Sequence, residues 1–257
     1  MNFLIPLGVM GVLEVLGNKM ETSIVIRTKN EEKWVGKVLK RLKEQTYKDF
    51  EIVIVDSGST DKTLDIIKNF NVKIFTIKQE DFSYPYALNY GCEKALGEKY
   101  FVFLSAHSLP ISKTWLEDGI KNFSDQKVMG VYGLMQALPD GTIWEKIYWN
   151  SLKVFLYRIF NYKKIVTKGG IGVMGFTHAI IRRELWEKNK FDERYGLGGE
   201  DGVWANYWFR NGFYVILDSK FSVAHSHGLG LIDLRKQFKN WSNLSTPQPF
   251  KKLDFRK

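Results

Sequence analysis

At 257 residues, with 44% hydrophobic and 26% charged side chains, the chain is long enough to bury a sizeable core, and its composition is neither that of a disordered nor of a fibrous protein. A formal charge of +10 favours an anionic partner, whether nucleic acid, an acidic membrane surface or a phosphorylated small molecule. The lone cysteine, Cys92, excludes an internal disulfide framework and suits a reducing compartment.

Residues 1–19 differ in character from the rest of the chain. They are mostly apolar, too short and broken for a membrane span, and lack the basic start and cleavage site of a secretion signal. Met20 stands directly before the first clear strand, so the expectation is a natural start at Met20 or a loosely held extension over 1–19. Thr22 to Arg27 is β-branched and reads as a strand, followed by the polar loop Thr28-Lys29-Asn30-Glu31-Glu32. Trp34, Val35, Val38, Leu39 and Leu42 recur at helical spacing. Phe50 to Val55 is almost continuously apolar, as in a parallel strand buried on both faces, and closes on Asp56-Ser57-Gly58-Ser59-Thr60-Asp61. Leu64, Ile66, Ile67 and Phe70 carry a second helix, which completes a βαβα unit. Strands are further expected over Val72–Ile77, Tyr100–Leu104 and Val128–Leu134, and helices over Pro85–Leu96 and Thr114–Phe123.

The second half is richer in aromatics. Ile143 to Phe160 has a helical pattern with a break, and Lys168 to Gly175 is a glycine-rich loop without the ending of a phosphate-binding P-loop. A strand over Phe176–Ile181 and a short helix over Glu184–Asn189 precede Tyr195-Gly196-Leu197-Gly198-Gly199-Glu200-Asp201, where two adjacent carboxylates stand before a helix reaching Arg210. One of these acids either caps that helix or serves as a general base at the rim of a pocket. Phe213–Leu217 and the strand end at Val223-Ala224-His225-Ser226-His227 come next, and a basic amphipathic tail runs from Leu231.

In an open parallel sheet, ligands bind beyond the carboxyl ends of the strands. Polar groups fall at four such ends: Thr28–Glu31, Asp56–Ser59, Ser105-Ala106-His107-Ser108 and His225-Ser226-His227. Asp56 is a base or ribose acceptor, or simply a turn residue. The His-x-His pair places both rings on one face of a strand, either as a metal site or as polar residues that simply meet solvent.

The run Ser23–Asp61, the strand end at Ser105–Pro110, and Gly198–Asp201 with His225 together resemble glycosyltransferase family 2 over about Met20 to His227. Arg182-Arg183-Glu184-Leu185-Trp186 and Phe191-Asp192-Glu193 resemble its bacterial rhamnosyltransferase-like branch. The resemblance implies an α/β GT-A (Rossmann-like) fold: one domain over 20–230, with a mixed, mostly parallel sheet flanked by helices. It implies a nucleotide-binding half over 20–110, an acceptor-binding half over 111–230 and a basic tail over 231–257. It implies an inverting enzyme that moves a sugar from a nucleotide-diphospho-sugar to a hydroxyl of a saccharide or lipid-linked acceptor. Thr28, Asn30 and Glu31 would line the nucleoside pocket and Asp56 would contact the base, with Ser57, Asn89 and Ser105 completing the donor contacts. Asp201 is the expected general base, and Glu200 positions the acceptor or that base.

Two departures stand out. Where the family usually carries an Asp-x-Asp pair for Mg2+ or Mn2+, this chain has Ser105-Ala106-His107. Either His107 joins His225 or His227 around a divalent metal, or it bonds the diphosphate directly, or basic residues replace the metal. The second is Leu88, where many relatives have an arginine near the diphosphate. Two alternatives lie outside this activity. A nucleotidyltransferase would want a glycine-rich basic loop after the first strand. A nucleic-acid-binding module would cluster its basic residues, which here are spread along the chain, so no nucleic-acid partner is expected. The tail suggests peripheral contact with an anionic membrane on the cytoplasmic side, or it is simply a solvated charged tail.

Overall fold

The computed structural model describes residues 20–196 and 198–243. The expectations for residues 1–19, and for Lys251, Lys252, Arg256 and Lys257, lie outside the described residues.

The first half folds as its patterning dictates. Strand β1 (Thr22–Thr28), helix α1 (Val35–Lys43), strand β2 (Phe50–Asp56), helix α2 (Thr63–Ile67) and strand β3 (Lys73–Thr76) form the βαβα unit with a third strand. Helix α3 (Tyr84–Lys94) and strand β4 (Tyr100–Ser105) follow. β1 pairs in parallel with both β2 and β4, so Thr28, Asp56 and Ser105 end at one edge. The apolar runs are buried on both faces. Ile24, Ile26 and Ile54 pack under α1 and α4 (Trp115–Ile120), while Val25, Val53 and Phe103 pack on the side of α3.

After the two-residue strand β5 (Leu109–Pro110) and α4 come β6 (Val128–Tyr132) and the short β7 (Met135–Gln136). The broken aromatic helix is resolved into α5 (Ile143–Trp149) and α6 (Leu152–Ile159), and an edge strand that the sequence did not announce, β8 (Lys163–Val166), follows. Then come β9 (His178–Arg182), α7 (Arg183–Lys188), α8 (Glu200–Arg210), β10 (Tyr214–Asp218) and β11 (Val223–Ala224). The basic segment from Leu231 is a helix, α9 (Leu231–Asn243), where a tail was expected.

The main sheet has eight strands in the order β3-β2-β1-β4-β9-β6-β10-β8. β9 runs antiparallel between β4 and β6, and β8 runs antiparallel at the edge; the other strands share one direction. The second sheet, β5-β11-β7, is only three strands wide. It rides close on the first: a Cβ on Gly133 would lie 1.7 Å from the carbonyl oxygen of Phe221, so only glycine lets the two backbones approach here. Trp115 and Phe221, both fully buried, stack at 4.4 Å beneath this junction.

Candidate active site at the carboxyl edge of the sheet

The donor-side residues form a braced turn system. Asp56, at the end of β2, is wholly buried, and its Oδ2 accepts from the backbone N–H groups of Gly58 and Ser59, both at 3.0 Å. Its carboxylate therefore builds the turn, as Asp-Ser-Gly chemistry suggests. Ser57 donates its N–H to the carbonyl of Thr28 at 3.1 Å. Asn30 adopts a left-handed φ of 54°, and its Oδ1 accepts from the Thr60 N–H at 2.8 Å. Thr28 is buried, and its hydroxyl has no hydrogen-bond partner among the described residues.

Asn89 is a correction. Expected in the donor set, it is instead a buried link between α3 and the chain beyond α7. Its Nδ2 donates to the carbonyl of Phe191 (2.9 Å) and to Glu193 (3.1 Å). Its Oδ1 accepts from the Trp186 ring N–H (3.0 Å) and the Phe191 N–H (3.2 Å). Two donors and two acceptors exhaust a carboxamide, leaving nothing for a ligand. Leu88 beside it is likewise core.

The histidines converge. β11 pairs antiparallel with β5, Ala224 opposite Leu109, so the next residue on each strand brings His225 to Ser108; His225 Nδ1 and Ser108 Oγ lie 2.9 Å apart. His107 leaves the end of β4 and stacks on His225 at 4.5 Å, while His225 Nε2 and His227 Nε2 are 2.9 Å apart. One ring nitrogen from each of the three lies within 4.8 Å of the others. Glu31 turns inward to His107, its Oε1 2.7 Å from Nδ1, and Ser105 Oγ lies 3.3 Å from the same nitrogen. A carboxylate only accepts, so Nδ1 carries a proton. The Nε2 of His107 is buried without a hydrogen-bond partner among the described residues. Burial, then the neighbouring imidazoles, hold His225 well below the ordinary histidine range and lower His227 as well. Two rings pushed toward the neutral form, a carboxylate that orients the third, and a buried ring nitrogen without a partner suit a metal-binding imidazole set, so these residues fit a divalent ion of the nitrogen-accepting kind.

The carboxylate pair opens α8. Gly199, at φ 95°, is the N-cap, a conformation suited to glycine, so neither acid caps the helix with its side chain. Glu200 is buried, and its Oε2 has no hydrogen-bond partner among the described residues. Burial, reinforced by the adjacent Asp201, raises its pKa to about 8, against the pull of Arg27, whose Nη1 stands 3.9 Å from Oε1. Asp201 is half-buried; its Oδ1 accepts from the Gly202 N–H at 2.6 Å, and burial raises its pKa too. Two adjacent carboxyls, one buried and one half-buried, do not both ionise easily, and both are pushed toward the protonated form.

Two supporting residues were not expected. Arg27, at the penultimate position of β1, lies 4.8 Å over the Tyr84 ring and faces the carboxylates. The available signal was the one charged residue of a β-branched strand. Glu145 on α5 closes a capping box with Thr142 and accepts from the His227 N–H at 2.7 Å. Its signal was Thr-x-x-Glu ahead of an apolar helix.

A mostly parallel sheet with one strand reversed at its centre, polar strand ends at one edge and an acidic helix start beside them defines a protein of GT-A architecture. A solved structure with this fold is that of a mannosyltransferase of Pyrobaculum calidifontis in complex with GDP-Man and Mn2+, with a TM-score of 0.65 and 19% identity over 88% of this chain and 62% of that one. The Glycosyl transferase family 2 profile matches residues 23–189, and the chain belongs to that family. It is 36% identical over 132 residues (46% of this chain, 40% of the relative) to the dolichyl N-acetyl-alpha-D-glucosaminyl phosphate 3-beta-D-2,3-diacetamido-2,3-dideoxy-beta-D-glucuronosyltransferase of Methanococcus voltae. It is 26% identical over 219 residues (81% of this chain, 67% of the relative) to the O-antigen chain rhamnosyltransferase RfbN of Salmonella typhimurium. The chain thus spans between two fifths and two thirds of the length of these proteins.

Proposed function

We propose that the protein is an inverting glycosyltransferase that moves a sugar from a nucleotide-diphospho-sugar to a hydroxyl of a saccharide or lipid-linked acceptor. The observation that carries this is the carboxyl pair Glu200 and Asp201 in the first turn of α8, set against Arg27 at the end of β1 and raised by burial, Glu200 to about 8; Asp201 is the assigned base. The acceptor hydroxyl attacks the anomeric carbon as the bond to the diphosphate breaks. Its proton passes to the Asp201 carboxylate, and the bonding pair leaves with the nucleoside diphosphate. One displacement inverts the centre and needs no carboxylate nucleophile. Thr28, Asn30, Glu31, Asp56, Ser57 and Ser105, at or beside the strand ends, are the assigned donor-side set.

His107, His225 and His227 would hold a divalent ion, which when bound would offset the negative charge growing on the leaving diphosphate. Glu31 and Ser108 orient two of those rings. The Methanococcus voltae relative is named for a dolichyl phosphate-linked substrate and the Salmonella relative for an O-antigen chain. These names support a lipid-linked or saccharide acceptor here.

The test is a thermal-shift screen of uridine, guanosine and thymidine diphospho-sugars, each with Mn2+ and with excess chelator. Specific binding raises the melting point by mass action. A metal-dependent rise with one nucleotide class, followed by sugar transfer that Asp201→Asn abolishes, is the expected result. No shift with any donor counts against the proposal.

A further inference from the structure

The helices α5 and α6 present an apolar surface that the rest of the described residues leave uncovered. No residue of α6 is buried among them. Leu152 is 70% exposed, Phe155 and Ile159 55% each and Phe160 75%, while on α5 Ile143 and Ile147 exceed 60%. Leu152, Phe155, Leu156 and Ile159 follow the spacing that forms one stripe on a helix, and Lys153 and Arg158 fall on its two borders. Contiguous apolar patches of this kind on a soluble monomer mark interaction sites.

The charges decide what the patch meets. From Ile143 to Lys168 the chain carries six basic residues, Lys146, Lys153, Arg158, Lys163, Lys164 and Lys168, against one acid, Glu145. That acid is 1% exposed and turned inward to His227. Lys163 is paired with Asp218; Lys153 and Arg158 border the stripe, Lys146, Lys164 and Lys168 lie in the same segment, and Asp118 shares a groove with Phe155, Arg158 and Ile159. A second copy of the chain docked about a two-fold axis would bring these cations against themselves. Residues 1–19 contain only Glu14 as an acid, too few to answer them. An apolar stripe bordered by lysine and arginine matches instead a helix lying in a lipid interface with anionic headgroups around it. No helix among the described residues is long and apolar enough to cross a membrane.

We propose that the outer face of α5 and α6 docks the protein on an anionic lipid bilayer. The inner face of α5 meets the histidine loop through Glu145 and His227, so a docked protein holds that loop one helix away from the membrane plane. This inference concerns a different surface from the donor site and stands or falls apart from the proposed activity.

The experiment is vesicle flotation of the full chain with phosphatidylcholine alone and with phosphatidylcholine containing about one third phosphatidylglycerol. Two double variants are compared, Phe155→Glu with Ile159→Glu and Lys153→Gln with Arg158→Gln. All four positions are exposed, so folding is retained, checked by circular dichroism and melting point. The wild type is expected on anionic vesicles and not on neutral ones. The apolar variant should lose at least about tenfold in partition. The charge variant should lose roughly fivefold per cation removed, with high salt erasing the difference. The proposal is overturned if the wild type stays off anionic vesicles, or if both variants bind as it does. It is also overturned if the wild type is a dimer that Phe155→Glu with Ile159→Glu converts to monomer without any flotation. A chain lacking residues 1–19 that floats when the full chain does not would equally overturn it.

Discussion

Two clusters of buried titratable groups, the carboxyl pair at the start of α8 and the histidines at the end of the small sheet, are driven by desolvation in opposite directions. At the start of α8 it favours protonated carboxyls, raising Glu200 to about 8 and Asp201 above its ordinary value. At the end of the small sheet it favours neutral imidazoles, lowering His225, His227 and, deeper in the core, His178 to about 4. One physical cause therefore favours protonated carboxyls in one place and neutral imidazoles in the other. Asp56 shows the third course open to a buried carboxylate: it is wholly enclosed, yet its oxygens are met by the turn it builds. The turn donors that meet Asp56 have no counterpart at Glu200 Oε2, which is without a hydrogen-bond partner among the described residues.

The sharpest way to break this comparison is at Asp201. Asp201→Asn keeps the shape and the hydrogen bond from Gly202 while removing the base. Transfer should fall by about 10²–10⁴ in kcat, with the donor KM little changed, as read by initial rates on the folded variant. An undiminished kcat assigns the proton to another group. At the imidazole cluster the corresponding change is Glu31→Gln, which weakens the acceptor that fixes the His107 tautomer. Metal affinity, measured by titration calorimetry, should fall by about 10–100-fold. If affinity is unchanged, Glu31 has no part in orienting that ring.

The opposed shifts also predict a shape for stability against pH, in chelator so that no ion intervenes. The histidines bind protons in the unfolded chain below about 6.5 and resist them when folded, so stability rises with pH up to that point. Glu200 does the reverse. The unfolded side chain ionises near 4.5 while the folded one stays protonated to about 8, so stability falls as pH rises between those values. Above about 6.5 only the falling limb remains. Glu200→Gln should flatten it, gaining on the order of 2–4 kcal/mol at pH 8, read from melting points taken at pH 5, 6.5 and 8. A limb as steep in the variant as in the wild type would place the proton elsewhere.

The first half of the fold was legible because its signals are local. Continuous apolar runs at β2 and β4 state burial on both faces, and the polar residues after them state the ligand edge. The carboxylate pair was legible because glycine, then two acids, then a helical period sit within one short stretch. What was hidden depends on distance in the chain. β8 is four residues with no buried side chain, fixed only by pairing with β10, and its sequence alone carries no strand-length apolar pattern. The contact of Glu31 with His107 spans 76 positions and that of Ser108 with His225 spans 117, so no local pattern encodes either. Arg27 could be seen but not placed, because its meaning lies in a helix that begins far downstream.

Asn89 gives the smallest expected effect on chemistry. The family resemblance placed it among the donor contacts, beside Leu88, where many relatives carry an arginine. In three dimensions its amide ties α3 to Trp186, Phe191 and Glu193 with every donor and acceptor engaged. Asn89→Ala strands the Trp186 ring N–H and the backbone groups of Phe191 in a buried site. The loss should be about 2–4 kcal/mol, since unsatisfied buried polar groups cost about 1–3 kcal/mol each and the segment relaxes in part. Chemical denaturation would show it as a lower midpoint with an unchanged slope. Because the residue reaches no ligand, the donor KM of the surviving folded fraction should match the wild type. A variant of full stability with a raised donor KM would return Asn89 to the site and remove it from the core.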